Sequence, residues 1–384
     1  VSAAGSAPAA ETAPADALRS VAPVRVAFFS DAFPERNGTG AYYVDLLRQL
    51  EGRVEALQVF QPRPEGERPL LSIPMPGDSA QRLVTPPLRS IRQSCETLAP
   101  NVIVVVTPGL YGLLGVWEAR RCGATLISAF HTDFEQLARM YWNPVSRFFV
   151  NIVLRTANRI VCGASESVLV NNERLQDDVR RLGARRVEVI GTPLPWEFLE
   201  RPPRPISPRL QRVCFAGRLA PEKNVEHIVR AARELPDIEF VIGGDGPRRA
   251  ALQALAEDAP NVRFTGWLNR AELIDLIDSS SLLMLPSAFE TFGSIALEAM
   301  ARGRPALVSE RSGICAWKQL AGGLYRLEDP AQLGTHLREL AALEPDAWAE
   351  KSRNAREAAQ GLNQHTIDHW LELLEARLAT GATR

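Results

Sequence analysis

Two carboxylates, Glu290 and Glu298, stand eight residues apart in the stretch PSAFETFGSIALEAMARGRPALV, residues 286–308. Pro286 closes a short apolar run, Phe292-Gly293 precede a strong helix-forming segment, and Gly303 falls where a helix would end. Glu290 is therefore expected in a loop and Glu298 inside the helix, among Leu297, Ala299 and Met300. At 1.5 Å per residue the spacing covers about 12 Å. The helix start between them directs backbone N–H groups at any anion held there. Such a pair could accept hydrogen bonds from hydroxyls at both ends of an elongated ligand with an anionic middle, as in a nucleotide sugar. A solvent-facing Glu298 is the alternative, and its apolar neighbours fit that less well.

Other residues could serve the same chemistry. Arg218 and Lys223, in GRLAPEKN after the run VCFAG, form either a clamp for a diphosphate or a solvated loop. Gly38 and Gly40 fall between the first apolar run and its helix, where glycine lets backbone approach a phosphate. A plain tight turn would use them equally well, and the dinucleotide fingerprint G-x-G-x-x-G is absent, with Tyr43 three residues after Gly40. His131 ends the run TLISAF and is either a structural histidine or a cleft residue. Downstream, Arg139, Arg147, Arg155 and Arg159 interleave with Tyr141, Trp142, Phe148 and Phe149. That segment suits an anionic membrane surface or, alternatively, a helix packing its aromatics inward.

These residues need elements to position them. β-Branched runs alternate with helical patterns from residue 24: VRVAFFS (24–30), VEALQVF (54–60), VIVVV (102–106), TLISAF (125–130), RIVCG (159–163) and VEVIG (187–191) read as strands. The pattern restarts with RVCFAGR (212–218), IEFVIGG (238–244), NVRFTGW (261–267), SLLMLPS (281–287) and PALVS (305–309). The expected organisation is a tail or linker at 1–22, an α/β domain at 23–191, a proline-rich linker at 192–210, a second α/β domain at 211–345 and helices at 346–384 packing back towards the first domain. In QHTIDHWLELLEARL, Ile367, Trp370, Leu371, Leu374 and Leu378 make one stripe. Ligands of such sheets bind beyond the C-terminal strand ends, which puts the site between the domains.

Composition narrows the class. A hydrophobic content of 46%, charged content of 23% and net charge of −1 describe a globular chain with no electrostatic reason to bind nucleic acid. Five scattered cysteines, with no metal-ligand spacing, suit a reducing compartment. His365 and His369 are an i, i+4 pair without a nearby acidic pattern, so a surface helix is expected there rather than a metal site. The apolar run at 102–106 is far short of the roughly 20 residues of a membrane span, and residues 1–22 lack a signal-peptide layout.

The array GRLAPEKN, IGGDGPRR, VRFTGWL and LPSAFETFGSIALEAMARGRP resembles the retaining GT-B glycosyltransferases of the family-4 type over roughly residues 24–380. The resemblance implies a GT-B fold of two Rossmann-like doubly wound domains facing across a cleft, with a UDP- or GDP-sugar as co-substrate and neither metal nor other cofactor. It implies that Glu290 contacts hydroxyls of the transferred sugar and Glu298 the ribose, while Arg218 and Lys223 hold the diphosphate. Gly38, Thr39, Gly40, Gly217, Phe292, Gly293 and Ser294 would complete the donor site, Trp267 and Leu268 would lie against the base, and His131 near the donor sugar. The segment HTDFEQLARMYW is similar to that of mannosyl- and glucosyltransferases acting on lipid headgroups or diacylglycerol. A lipid acceptor is expected on that basis, with Arg139, Tyr141, Trp142 and Arg147 at a membrane surface and the enzyme peripheral on the cytoplasmic side. A soluble acceptor, or a non-catalytic sugar-nucleotide-binding protein on the same fold, are the other readings. Two segments depart from the family pattern: GTPLPWEF (191–198) replaces a Gly-Val-Asp-like turn, and ERSGICAWKQ (310–319) replaces Gly-Gly-x-Pro-Glu.

Overall fold

The computed structural model describes residues 22–33, 38–62, 71–75, 78–130 and 144–381. The side chains of Thr39 and Arg147, and all of His131, Arg139, Tyr141 and Trp142, lie outside the described residues. The first domain runs β1 (Ala22–Phe29), α1 (Gly38–Leu50), β2 (Val54–Phe60), β3 (Ser72–Met75), β4 (Asp78–Val84), α2 (Leu88–Leu98), β5 (Val102–Val105), α3 (Leu110–Cys122), β6 (Thr125–Phe130), α4 (Pro144–Ala164), β7 (Ser167–Val170), α5 (Gln176–Arg181) and β8 (Val187–Val189). Its main sheet has the order β2-β1-β5-β6-β7-β8, all parallel, and β3 and β4 form a separate antiparallel pair.

Both faces of this sheet are buried, as parallel sheets require. Val24, Val26 and Phe28 face one cluster with Tyr43 and Leu46 of α1, and Ala27 and Phe29 face the other with Ile91 of α2 and Val116 of α3. The second domain repeats the plan: α6 (Trp196–Glu200) leads into β9 (Arg212–Ala216), α7 (Val225–Glu234), β10 (Glu239–Gly243), α8 (Arg249–Leu255), β11 (Val262–Gly266), α9 (Arg270–Asp278), β12 (Leu282–Leu285), α10 (Ser294–Ala301), β13 (Ala306–Ser309), β14 (Leu324–Leu327) and α11 (Leu333–Ala341). The order β11-β10-β9-β12-β13-β14 is again fully parallel.

Three local readings of the sequence are corrected. RIVCG is not a strand but the end of the 21-residue helix α4. Ala157, Asn158, Val161 and Cys162 are buried while Arg159 and Ile160 are exposed, a helical rather than an alternating pattern. The strand is the next run, Ser167–Val170, buried throughout. The proline-rich stretch holds a five-residue helix, α6, which fits between Pro195 and Pro202 because proline is tolerated just ahead of a helix. Gly38 and Gly40 are not in a loop ahead of a helix but in the first turn of α1, which begins at Gly38.

One 37-residue helix, α12 (Pro345–Gly381), runs across both domains. Trp348, Ala355, Ala359 and Leu362 belong to the core of the second domain, and Ile367, Trp370, Leu373 and Leu374 to that of the first. Trp370 Nε1 donates to Tyr42 Oη at 3.2 Å, and Tyr42 Oη donates to the carbonyl of Gly191 at 3.1 Å, beside the crossing point. Asn363 secures that crossing by accepting from Leu194 N at 2.7 Å and donating to Gln49 Oε1 at 3.0 Å. Trp370→Ala removes a fully buried ring and its hydrogen bond, and is expected to lower stability by about 3–5 kcal/mol. Trp370→Phe should lose less than half of that. Urea unfolding of the two variants checks the ranking.

Candidate active site

In each sheet the strand order reverses beside the first strand of the domain, and ligands of such folds bind in the crevice at that reversal. In the first domain it falls between β1 and β5. Asp31, just past β1, accepts from Thr107 Oγ1 at 2.7 Å and from the backbone N–H groups of Tyr111 at 2.9 Å and Gly112 at 3.3 Å. The carboxylate thus occupies the start of α3, and burial raises its pKa against these bonds.

In the second domain the reversal lies between β9 and β12, and the loops leaving those strands are stitched together. Ala288 N donates to the carbonyl of Glu222 at 2.8 Å, and Asn224 Nδ2 donates to that of Pro286 at 3.0 Å. Lys223 Nζ meets Glu290 Oε1 at 2.5 Å, with both side chains largely buried. Ser287 Oγ donates to the same carboxylate oxygen at 2.8 Å. Lys223 and Glu290, 67 positions apart, are therefore one charged pair at the mouth of the crevice. Gly217 and Arg218 are exposed at the end of β9, and Trp267, 71% exposed, follows β11 with the half-buried Leu268.

Gly293 caps α10 with φ of 100°, a left-handed conformation that favours glycine, and makes no side-chain cap hydrogen bond. The first N–H groups of α10, from the exposed Ser294 onwards, thus have no side-chain cap. Phe292 is buried beneath them, its ring 6.4 Å from that of Trp317. The departing segment ERSGICAWKQ pins this loop from below. Gly313 N donates to the carbonyl of Glu290 at 3.0 Å and Ile314 N to that of Phe292 at 2.7 Å. A Cβ at Gly313 would collide with the carbonyl of Thr291, so only glycine fits there.

Glu298 is half-buried in α10, and burial pushes its carboxyl up to about 7, opposed by nearby Arg270 and reinforced by Asp45. Arg270, at the start of α9, crosses to the first domain and forks onto Asp45, with bonds of 2.8 and 3.1 Å, while reaching Glu197 at 3.0 Å. Sequence reading passed over Ser287, Gly313, Asp31 and the Arg270–Asp45 fork. Ser287 lies within the stretch already singled out. The others are defined only by partners far away in the chain, for which a single sequence carries no signal. Among the described residues no cluster of His, Cys, Asp and Glu has the makings of a metal site, and His369 Nε2 lies 3.7 Å from Glu188.

Two parallel α/β domains joined by a crossing helix, with cations, carboxylates and a helix start near one sheet reversal, define a GT-B fold. Residues 36–195 match the family model described as Glycosyltransferase Family 4, and residues 199–360 the one described as Glycosyl transferases group 1. The chain belongs to the GT4 glycosyltransferases. It is 32% identical over 220 residues to a GDP-mannose-dependent alpha-mannosyltransferase of Mycolicibacterium smegmatis, a match covering 56% of this chain and 57% of that one. It is 28% identical over 239 residues to a GDP-mannose-dependent alpha-(1-6)-phosphatidylinositol dimannoside mannosyltransferase of Mycobacterium tuberculosis, covering 59% and 61%. Each match therefore spans less than two thirds of the relative's length. Among solved structures, sucrose-phosphate synthase from Thermosynechococcus elongatus shares the fold with a TM-score of 0.70 at 16% identity, covering 92% of this chain and 99% of that one.

A carboxyl raised from its ordinary 4.5 to about 7 keeps a proton in the folded state that the unfolded chain gives up, so its contribution to stability is lost as pH rises between those values. Glu298→Gln removes that titration. Its Tm should match the parent at about pH 5 and exceed it by a few degrees at about pH 8. Thermal melts at the two pH values check this, and a gap independent of pH would contradict it. Gly313→Ala should act in the opposite sense, lowering stability by about 2 kcal/mol or more because the loop carrying Glu290 must move.

Proposed function

We propose that this chain is a retaining mannosyltransferase that moves mannose from GDP-mannose to a hydroxyl of an anionic membrane lipid. The observation that carries the reading is the Lys223–Glu290 pair at the β9/β12 reversal, in the loop that leads into the uncapped start of α10. In this reading Arg218, Lys223 and the first N–H groups of α10 stabilise the departing diphosphate, which is electrostatic stabilisation of developing charge and calls for no metal. Glu290 accepts from hydroxyls of the sugar, Glu298 from the ribose, and Trp267 and Leu268 flank the base. Backbone of Gly217, Phe292, Gly293 and Ser294 lines the donor, with Gly38–Gly40 opposite. The acceptor attacks from the side the diphosphate leaves, and the leaving phosphate takes the acceptor's proton. His131, outside the described residues, is assigned a place beside the sugar on the family resemblance alone.

GDP-mannose is favoured over other donors because both mycobacterial relatives are named for it. The lipid acceptor draws on the second of those names and on one surface of the first domain. Helix α4 contains no Asp or Glu, and it exposes Ile152, Val153 and Ile160 beside Arg155 and Arg159. Neighbouring α3 adds Trp117, half exposed, and Arg120. Apolar side chains flanked by cations suit the headgroup region of an anionic bilayer. Among the described residues no helix is long and apolar enough to cross a membrane.

Labelled GDP-mannose, supplied with vesicles of phosphatidylcholine alone or with phosphatidylinositol, tests the reading in the presence and absence of EDTA. Label should enter the lipid fraction only with the anionic vesicles, and EDTA should not change the rate. Transfer to a soluble sugar alone would replace the lipid acceptor, and acceptor-independent binding without GDP release would leave a sugar-nucleotide-binding protein. Lys223→Ala should lower transfer at least about a hundredfold while the protein stays folded.

A further inference from the structure

Three consecutive carbonyls, those of Glu290, Thr291 and Phe292, are each held by a hydrogen bond, but not by the same domain. Gly313 N holds the first and Ile314 N the third, both from within the second domain. The middle one is held from the first domain, where Asn172 Nδ2 donates to Thr291 O at 2.7 Å. Asn172 stands just beyond the C-terminal end of β7 and is 4% exposed. Its amide has no freedom to turn, because Oδ1 accepts from Arg174 N at 3.0 Å as the cap of a short 3₁₀ turn, and Nδ2 also reaches Asn171 Oδ1 at 3.2 Å. A second bond runs the other way alongside it: Trp317 Nε1 donates to Asn171 O at 3.0 Å, with the Trp317 ring set edgewise against Phe292. Arg174 adds a third crossing, from its guanidinium to the carbonyl of Arg311 at 3.2 Å.

We propose that Asn172 is a positioning residue for transfer, clasping the loop that carries Glu290 so that the sugar-end carboxylate reaches its working place only when the two domains are docked. The proposal rests on the reading of Glu290 as the contact to the transferred sugar. The physical basis is the shortness of the path: the clasped carbonyl belongs to the residue next to Glu290, and the carbonyls on both sides are fixed, so the tie cannot slacken by local rotation. When the domains part, Thr291 O loses its partner and the loop retains only the bonds of its own domain. Domain docking is thereby linked to the carboxylate through one peptide unit. A small misplacement of a group at the reacting centre costs catalysis more than binding, since most donor contacts lie in the second domain.

Asn172→Asp is the discriminating variant. An aspartate oxygen still caps Arg174 N, which preserves the local fold, but it offers no N–H to Thr291 O and sets an anion against that carbonyl. With GDP-mannose and phosphatidylinositol vesicles, kcat should fall about tenfold while KM for GDP-mannose stays within about twofold. Hydrogen exchange in the segment 286–295 should quicken by about tenfold, with the rest of the second domain unchanged. Trp317→Phe, which keeps the ring and removes the companion bond, should shift both readouts the same way by a smaller factor. Unchanged exchange in the Asn172→Asp variant would overturn the clasp, and faster exchange with unchanged kcat would overturn its role in transfer. The exchange arm needs no turnover, so failure of the parent chain to transfer mannose would count against the proposed function and not against the clasp.

Discussion

The contact on which the site depends is the meeting of Lys223 and Glu290 where the second sheet reverses its strand order. Neither charge is fully solvated there, and each compensates the other. Two separate loops must be rigid for that pair to persist, and the bonds from Ala288 to Glu222 and from Asn224 to Pro286 supply the rigidity. In the proposed function an arriving diphosphate competes for a cation that is already oriented, which limits the reorganisation needed on binding. Ser287, buried beneath the pair, holds the carboxylate whichever partner Lys223 takes.

Around that contact the structure places groups at the expense of stability. Glu298 is a carboxyl in a setting that favours its neutral form, and Asp45 close by makes ionisation harder still. An apolar residue would be less costly there, and the proposed function is what gives the carboxyl a use, as an acceptor for a ligand hydroxyl. Arg270 softens the conflict from one side of the cleft to the other, since its fork onto Asp45 lies within electrostatic reach of Glu298. Ionisation at the site and the approach of the two domains thus share one set of charges.

The helix Pro345–Gly381 explains how two independent cores behave as one molecule. It contributes Trp348 to one core and Trp370 to the other, so neither domain can lose it without exposing a large ring. Hydrogen bonds hold the crossing near Gly191, Leu194 and Asn363, and Asn172, Thr291 and Trp317 join the domains through further polar bonds. Polar contacts of this kind open at less cost than a packed core does, which suits the proposed entry and release of a nucleotide between the domains.

By itself the sequence determined the alternation of buried runs and helices, the two-domain plan, and the segments in which Arg218, Lys223, Glu290 and Glu298 stand. Those features are local: a β-branched run, a glycine at a helix end and an eight-residue spacing can be read without knowing what lies opposite. The end of helix α4 reads as a strand because Ile160, Val161 and Cys162 suit one in composition, and only their burial pattern shows the period of a helix. What the tertiary structure alone decided is pairing across distance. That Lys223 touches Glu290, that Arg270 forks onto Asp45 and that Asn172 holds Thr291 follow from strand order and domain docking, which bring residues 67, 225 and 119 positions apart within hydrogen-bond reach. No short-range pattern encodes such contacts, because each depends on the packing of every element between its two ends.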